Sequence, residues 1–432
     1  MKRIITIIGL GYVGLPLAAA FMRNGFKVIG IDLDEEKLQS LREGRSYIDD
    51  VPHEVIHWAI SQDVLKPSSD FSESAVSEAV IICIPTPLTE ERVPDLTYLV
   101  SAAERIRPYL RSGQFVTLES SSYPGTTREV LLPLLEQSGL TTGKELFIGF
   151  SPERVDPGNR AFILEDIPKV VSGVTTECLL RAEELYGNVF KNIVKVSSPD
   201  TAEMTKLLEN TFRFINISFI NEFALLCDKM NINVWEVVAA ASSKPFGFTP
   251  FYPGPGIGGH CIPVDPLYLL WKLQQTGISC SFIEIATRIN QEMPSYVIAR
   301  LKEVMHKTSL NGARILVLGV TFKENIADIR ESSSVELIRL LLREGAEVLY
   351  FDPYISSFSV DDQVLHSVEI DRMQLTHTDC VVIGTHHKQL PLQEVINNAP
   401  LVFDTRNAIH GLSGKARIVT LGTGKANDSS VI

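Results

Sequence analysis

The chain has 432 residues, 45% hydrophobic and 21% charged, an ordinary folded composition too long for one core, so two or three domains are expected. Its formal net charge of -12 excludes a general nucleic-acid or anionic-membrane binder, yet leaves room for a local basic pocket around a phosphorylated ligand. Six scattered cysteines, none in CxxC or zinc-type spacing, suggest a reducing compartment and predict no metal site.

Met1-Lys2-Arg3 precedes a run, Ile4–Ile8, that is too short to span a membrane and reads as a buried strand, so a cytoplasmic protein is expected. Gly9-Leu10-Gly11-Tyr12-Val13-Gly14 follows it and opens a helix over Leu15–Asn24. In this strand–turn–helix setting Gly9 makes the turn, Gly11 admits a pyrophosphate, Gly14 lets the helix approach the strand, and the helix N-terminus faces the anion. The second strand, 27–32, ends in Asp32, placed to bind a ribose 2′-hydroxyl and to repel a 2′-phosphate, which favours NAD over NADP. Further strands are predicted at 79–84, 115–119 and 146–150, the pattern of a parallel sheet covered on both faces.

Three strand-end loops carry polar groups where open α/β sheets bind ligands. They are Pro85-Thr86-Pro87, Glu119-Ser120-Ser121-Ser122-Tyr123-Pro124-Gly125-Thr126-Thr127, and Ser151-Pro152-Glu153-Arg154-Val155. Glu153 is either a general base or half of a surface ion pair with Arg154. A mostly helical stretch is predicted over 175–308. Within it, apolar spacing across 200–230 marks one long helix that either bridges two domains and supplies a dimer face or lies in one core. Lys206 and Asn210 share a face of it, able to polarise an oxygen or simply solvated.

Pro253-Gly254-Pro255-Gly256-Ile257-Gly258-Gly259-His260-Cys261-Ile262-Pro263-Val264-Asp265-Pro266 sets a thiol among glycines and stiff prolines, a place for a nucleophile to meet a substrate. The other five cysteines read as small buried hydrophobes. His260 is expected to be a bystander, since adjacent side chains in a turn point apart. A second α/β pattern follows, with strands at Arg314–Leu318, Val348–Phe351, Cys380–Ile383 and Leu401–Phe403 and a helix at 333–344. Lys323, Arg330 and Arg406 near its strand ends suit a diphosphate, and without a GxGxxG turn its ligand is a nucleotide other than NAD. The last ten residues, Thr423–Ile432, are predicted disordered. The expected architecture is α/β: two Rossmann-like doubly wound domains, 1–195 and 309–432, joined by a long central helix and helical region at 196–308.

The motifs GLGYVGLP, ESSSYPGTT, SPERVDPGN, KLLENTFR, PGPGIGGHCIPVDP, GVTFKENIADIRESS and DTR, in this order, resemble the UDP-glucose/GDP-mannose dehydrogenase family. The resemblance implies oxidation of C6 of a UDP-sugar from alcohol to carboxylate with two NAD per turnover, for surface polysaccharide precursors. It implies that Cys261 forms a thiohemiacetal and then a thioester. Lys206 and Asn210 would stabilise oxyanions, Asp265 would assist proton transfer or position water, and Glu153 would promote hydrolysis. It places Gly9, Gly11, Tyr12, Val13, Gly14, Asp32, Thr86, Ser121 and Lys323 on the cofactor, with Ser121 also catalytic. Glu153, Arg154, Lys206, Asn210, Arg213, Gly258, Lys323 and Arg406 fall on the substrate, Arg406 as a candidate contribution across a homodimer or higher homo-oligomer. SPERVDPGN, CIPVDPLYL and Pro85-Thr86-Pro87 resemble UDP-N-acetylglucosamine 6-dehydrogenases more than UDP-glucose enzymes, and UDP-N-acetylmannosamine is the other alternative. Two positions depart from the family pattern: Ser121 stands for the usual Thr, and Ser332-Ser333-Ser334 replaces a Ser-Pro. A two-electron dehydrogenase or epimerase would leave Cys261 idle and lacks a Tyr-x-x-x-Lys pair in the first domain. A nucleotide sensor would have lost the reactive set.

Overall fold

The computed structural model describes residues 3–154, 162–259 and 261–424. His260 and the later part of the SPERVDPGN motif lie outside the described residues, as does the tail from 425. The chain divides into two compact units: Met1–Asn210 with Val264–Ser279, and Thr211–Pro263 with Cys280–Ile432.

The first unit is built on six parallel strands: β1 (Ile4–Ile8), β2 (Lys27–Ile31), β3 (Leu65–Ser68), β4 (Ala79–Ile82), β5 (Gln114–Leu118) and β6 (Leu146–Phe150). Their order is β3-β2-β1-β4-β5-β6, so the winding reverses between β1 and β4. Alternation along each strand splits the apolar side chains between two cores. Ile5, Ile7, Val28 and Ile81 enter one, and Ile29, Ile31, Val80 and Ile82 the other. Each such side chain, fully buried, contributes about 1.5–3 kcal/mol. β3 was not expected: Leu-Lys-Pro-Ser holds one strong hydrophobe, and Pro67 is tolerated because the strand forms the sheet edge. A small parallel ladder joins β7 (Lys169–Val171) to β8 (Ile193–Lys195).

In the second unit β9 (Arg314–Leu318), β10 (Glu347–Phe351), β13 (Cys380–Ile383), β14 (Leu401–Asp404) and β15 (Arg417–Thr420) form a parallel sheet in the order β10-β9-β13-β14-β15. Its winding reverses between β9 and β13. A hairpin of β11 (Ser357–Val360) and β12 (Gln363–His366) forms its own ladder beside β10, where a bridge joins Tyr350 to Ser367. β11, β12 and β15 escaped the sequence reading because each is four residues long, with polar or charged side chains interrupting its apolar ones.

Helix Pro199–Met230 runs unbroken through the change of unit at Asn210, so it is not the core helix of one domain. The mostly helical stretch expected over 175–308 is corrected in two places. It contains β8, and the described residues between Ser242 and Asp265 form no helix, because Pro250, Pro253, Pro255 and Pro263 remove donors and fix φ. Thr423 and Gly424 are ordered, contrary to expectation: Thr423 Oγ1 donates to Thr420 O (2.7 Å) and the Gly424 N–H to Asp228 Oδ1 (2.9 Å). Cys83, Cys178, Cys227 and Cys380 are buried as predicted, but Cys280 is only half-buried, at the N-cap of helix Ser281–Val304. Among the described residues no helix is long and apolar enough to cross a membrane, and no group of His, Cys, Asp and Glu could hold a metal.

Candidate active site

The glycine turn stands at the reversal point of the first sheet. Gly9 has φ +90°, and a Cβ at Gly14 would stand 1.8 Å from Gly9 O, so the helix Gly14–Arg23 can approach the strand only without one. A Cβ at Gly11 would meet nothing within 4 Å, which leaves room for a pyrophosphate there. No side chain caps this helix and its first turn holds no acid, so neither a cap nor a first-turn carboxylate competes with an anion at its positive end. Asp32 is fixed at the end of β2 by the N–H groups of Leu10 (2.8 Å to Oδ2) and Asp34 (3.0 Å to Oδ1). Tyr12 is exposed and Val13 half-buried beside it. These residues fit NAD, with the Asp32 carboxylate where a 2′-phosphate would be repelled.

Further along the same unit Ser121, Glu153, Lys206, Asn210 and Asp265 come together. Asp265, 1% exposed, begins helix Asp265–Gln275 and accepts hydrogen bonds at Oδ2 from Asn210 Nδ2 (2.5 Å) and Ser121 Oγ (3.3 Å). Burial pushes its carboxyl up to about 6, against the pull of Lys206, Asn210 and Ser121. Lys206 Nζ donates to Glu153 O (2.5 Å), and Glu153 is buried. The face of Lys206 and Asn210 is therefore not a solvated one. Nor is Glu153 half of a surface pair: Arg154 turns its guanidinium to Glu209 and to Pro168 O (2.9 Å). Thr86 ties two strand-end loops, its Oγ1 donating to Ser121 O (2.5 Å) while its own carbonyl accepts from Tyr268 Oη.

In the second unit the glycine-rich loop lies against the carboxyl end of the second sheet. Cβ atoms at Gly254 and Gly258 would stand 2.4 Å from Arg406 Nη1 and 2.5 Å from Glu331 O. Gly254 N–H donates to Asn221 Oδ1 (2.9 Å), Ile257 N–H to Asn290 Oδ1 (2.6 Å), and Gly259 N–H to Arg330 O (3.1 Å). This anchored loop carries the half-buried Cys261 thiol. Arg406 Nε donates to Gly384 O (2.9 Å), and burial lowers its guanidinium to about 10 despite Asp404 and Glu324. Lys323 is half-buried on the loop after β9, whereas Arg213 is exposed on the long helix. Arg330 makes a two-point contact with Asp328 (3.0 and 2.5 Å), so its charge is already balanced and the trio of cations expected at the strand ends is not equivalent.

Sequence reasoning missed three buried polar groups. Glu203 accepts from Gly125 N–H (2.6 Å), Thr127 N–H (2.8 Å) and Thr127 Oγ1 (2.7 Å), clamping the loop after β5; burial raises it to about 7. Its spacing from Lys206 and Asn210, one helix face, was the available signal. His387 is fully buried between Asp352 (3.0 Å) and Thr321 (3.1 Å), and its Nδ1 accepts from Asn325 N–H (2.9 Å). The third group joins Glu119 to Lys169.

This geometry is that of an NAD-dependent oxidoreductase. Three family models cover most of the chain: the NAD-binding domain of the UDP-glucose/GDP-mannose dehydrogenase family at residues 3–190, its central domain at 200–292 and its UDP-binding domain at 316–411. The chain is 38% identical to UDP-N-acetyl-D-glucosamine 6-dehydrogenase of Pseudomonas aeruginosa, over 82% of this chain and 83% of that one. It is 33% identical to UDP-N-acetyl-D-mannosamine dehydrogenase of Methanococcus maripaludis, over 97% of each. The solved structure of the UDP-N-acetylmannosamine dehydrogenase of Pyrococcus horikoshii superposes with a TM-score of 0.88 at 31% identity, over 98% of this chain and 99% of that one. The chain belongs to the UDP-glucose/GDP-mannose dehydrogenase family, as an NAD-dependent nucleotide-sugar dehydrogenase.

Proposed function

We propose that the chain oxidises C6 of a UDP-N-acetylhexosamine from alcohol to carboxylate, with Cys261 holding the carbon between two oxidations. Bound NAD supplies the hydride acceptor for each. The first oxidation removes the C6 hydride and the hydroxyl proton to give an aldehyde. Cys261 Sγ bonds to C6 while the aldehyde oxygen gains a proton, forming a thiohemiacetal. Removal of the second hydride and that proton leaves a thioester. Water then adds to C6, the C–S bond breaks, and the acid leaves with the thiolate restored. Lys206 and Asn210 stabilise the oxyanions, Glu153 promotes hydrolysis, and Ser121 orders the loop beside Asp265. Arg154, Arg213, Gly258, Lys323 and Arg406 hold the nucleotide-sugar, and Thr86, Ser121 and Lys323 border the cofactor.

The observation that carries this reading is Asp265: a buried carboxyl near 6, touching the amide of Asn210, can both take and give a proton close to neutral pH. Along the chain only Ile262, Pro263 and Val264 separate Cys261 from Asp265. UDP-N-acetylglucosamine is our first substrate, supported by the SPERVDPGN and CIPVDPLYL loop forms and by the Pseudomonas relative. UDP-N-acetylmannosamine is the second reading, favoured by the relatives matched over 97% of the chain. We read the chain as three functional segments, 1–195, 196–308 and 309–432, in line with the three family models. We also read it as a homodimer, because Phe212, Phe219, Phe223, Leu226 and Met230 expose an apolar face along the long helix.

A panel of UDP-sugars assayed with NAD tests this. Two NADH per sugar and fastest turnover of UDP-N-acetylglucosamine are expected; a ratio near one overturns the four-electron reaction, and a preference for UDP-glucose overturns the substrate. Cys261→Ser should make no acid. Light scattering should give twice the mass of 47.9 kDa.

A further inference from the structure

Beneath the carboxyl end of the first sheet lies a group of charges that packing does not require. Lys169, the first residue of β7, is 4% exposed, and its Nζ donates to Glu119 Oε2 at 2.5 Å. Glu119, immediately after β5, is 1% exposed, and its other oxygen accepts from the fully buried Tyr186 Oη. The same ammonium lies 3.9 Å from Glu153 Oε2 and 5.3 and 5.2 Å from the ring centres of Tyr186 and Phe190. A charge so deep survives only when its partners replace its lost water, and here two carboxylates and two aromatic faces do so. Burial works against the Lys169 charge, but Glu119 and Glu153 outweigh it and hold the ammonium above the usual lysine range. We assign the proton to the lysine for that reason.

The arrangement is not symmetric about its two acids. Glu119 is held at its other oxygen by Tyr186 Oη. Glu153 stands at the end of β6, where its own backbone carbonyl receives Lys206 Nζ (2.5 Å) and its Oε1 accepts the Arg154 N–H (2.6 Å). The end of β6 is tied to β7, with Ser151 Oγ donating to Val170 O (2.7 Å) and Ser172 N–H to Phe150 O (3.1 Å). The backbone of Lys169 is thereby held beside the end of β6, with its ammonium 3.9 Å from Glu153 Oε2.

We propose that Lys169 is a positioning residue that sets a positive charge beside the Glu153 carboxyl, with Glu119 and Tyr186 as the anchor that keeps the ammonium there. This rests on the reading above, in which Glu153 promotes hydrolysis of the thioester. Among the described residues, the charged or titratable groups facing Glu153 include Lys169 from β7, Glu119 beyond it, Lys206 from the long helix, Arg154 beside it and Cys83 after β4. Lys169 brings its cation to the carboxyl side, 3.9 Å from Oε2, whereas Lys206 meets the backbone carbonyl. Removing that cation must make the carboxylate harder to form, raising the pH at which Glu153 ionises.

The test uses the full-length protein and its Lys169→Met variant. The carboxylate band of Glu153 is followed by infrared difference spectroscopy against Glu153→Gln across pH, and acid formation from UDP-N-acetylglucosamine is followed on the same samples. The band should titrate roughly one pH unit or more higher in the variant, and the acid limb of kcat should move up with it. Both NADH-producing steps should keep their rates in rapid mixing, with thioester accumulating on the enzyme at low pH. An unmoved band overturns the proposal whatever the activity does. A moved band with an unmoved acid limb leaves the ion pair standing and overturns the hydrolytic role of Glu153 instead. Should Lys169→Met fail to fold, the double variant with Glu119→Gln removes the stranded charge and carries the same expectation for the band. Glu119→Gln alone leaves the whole ammonium to Glu153, so its band should stay or fall; a rise there also overturns the proposal.

Discussion

The two parallel sheets begin alike and diverge at their first helix. After β1 the chain turns through Gly9–Gly14 into a helix with no side-chain cap and no acid in its first turn. After β9 it makes a longer excursion into helix Ser333–Arg343, whose N-terminus is capped by Ser332 and carries Glu336 in the first turn. The same winding thus produces two kinds of anion site. In the first unit the helix end is left uncapped, and we propose that it receives a phosphate while the nearby Asp32 carboxylate selects the ribose. In the second the helix end is closed by the protein's own hydroxyl, and in the function we propose Lys323 and Arg406 meet the UDP moiety instead. On that proposal one sheet binds with backbone, the other with cations.

Gly14→Ala is the harshest way to break that contrast. Its Cβ would meet backbone 1.8 Å away, which cannot swing aside as a side chain would. NAD affinity measured by calorimetry should fall more than about 100-fold, about 2.7 kcal/mol, while UDP binding stays within about twofold. Equal losses would mean that the two ligands do not use separate binding chemistries.

Asp265→Asn sharpens the acid–base side of the comparison. A carboxyl raised from 3.8 to about 6 by burial binds its proton more tightly in the folded state. Stability therefore falls as pH rises from about 3.8 to about 6 and stays lower above that, a cost of about 3 kcal/mol at pH 7. The variant escapes this cost: its melting temperature should match the parent's near pH 4 and exceed it by several degrees at pH 7.5, while kcat drops at least about 100-fold. An unchanged difference in melting temperature across that range would refute the raised carboxyl.

Arg406→Lys probes the other chemistry. A lysine retains the charge but loses the planar fork that donates to Gly384 O and lies against Gly254. UDP affinity should fall roughly 10-fold, about 1.4 kcal/mol, with NAD affinity unchanged. Calorimetry with each ligand separately decides it.

The parts legible in the sequence were those whose signal is local. The turn at Gly9–Gly14 declares itself through spacing, and strands buried on both faces declare themselves as apolar runs. Edge strands such as β3 and β15 do not, because half their surroundings are solvent and their composition follows. Among the site residues, Lys206 and Asn210 were visible from helical spacing, whereas Lys169 was not. A lysine beginning a three-residue strand looks like any surface lysine, and only tertiary contact with Glu119 and Glu153 makes it a buried charge. His387 was hidden for the same reason, since its partners Asp352 and Thr321 come from the ends of other strands.

Ser332→Ala is the mildest test and bears most directly on the opening contrast. Ser332 Oγ accepts the Ser334 N–H (3.2 Å), and the residue is buried, so no water replaces that bond when the hydroxyl is removed. Loss of a serine N-cap costs about 1 kcal/mol. Unfolding of the second unit in denaturant should therefore shift by about that amount with an unchanged slope. The uncapped helix of the first unit supplies the control: Val13→Ser offers a side-chain oxygen to a helix end that now has none. If the open end exists to receive phosphate, this substitution should stabilise the free protein and weaken NAD binding together, because hydroxyl and pyrophosphate would compete for the same N–H groups. A stabilised protein with undiminished NAD affinity would show that the open helix end does not serve the cofactor.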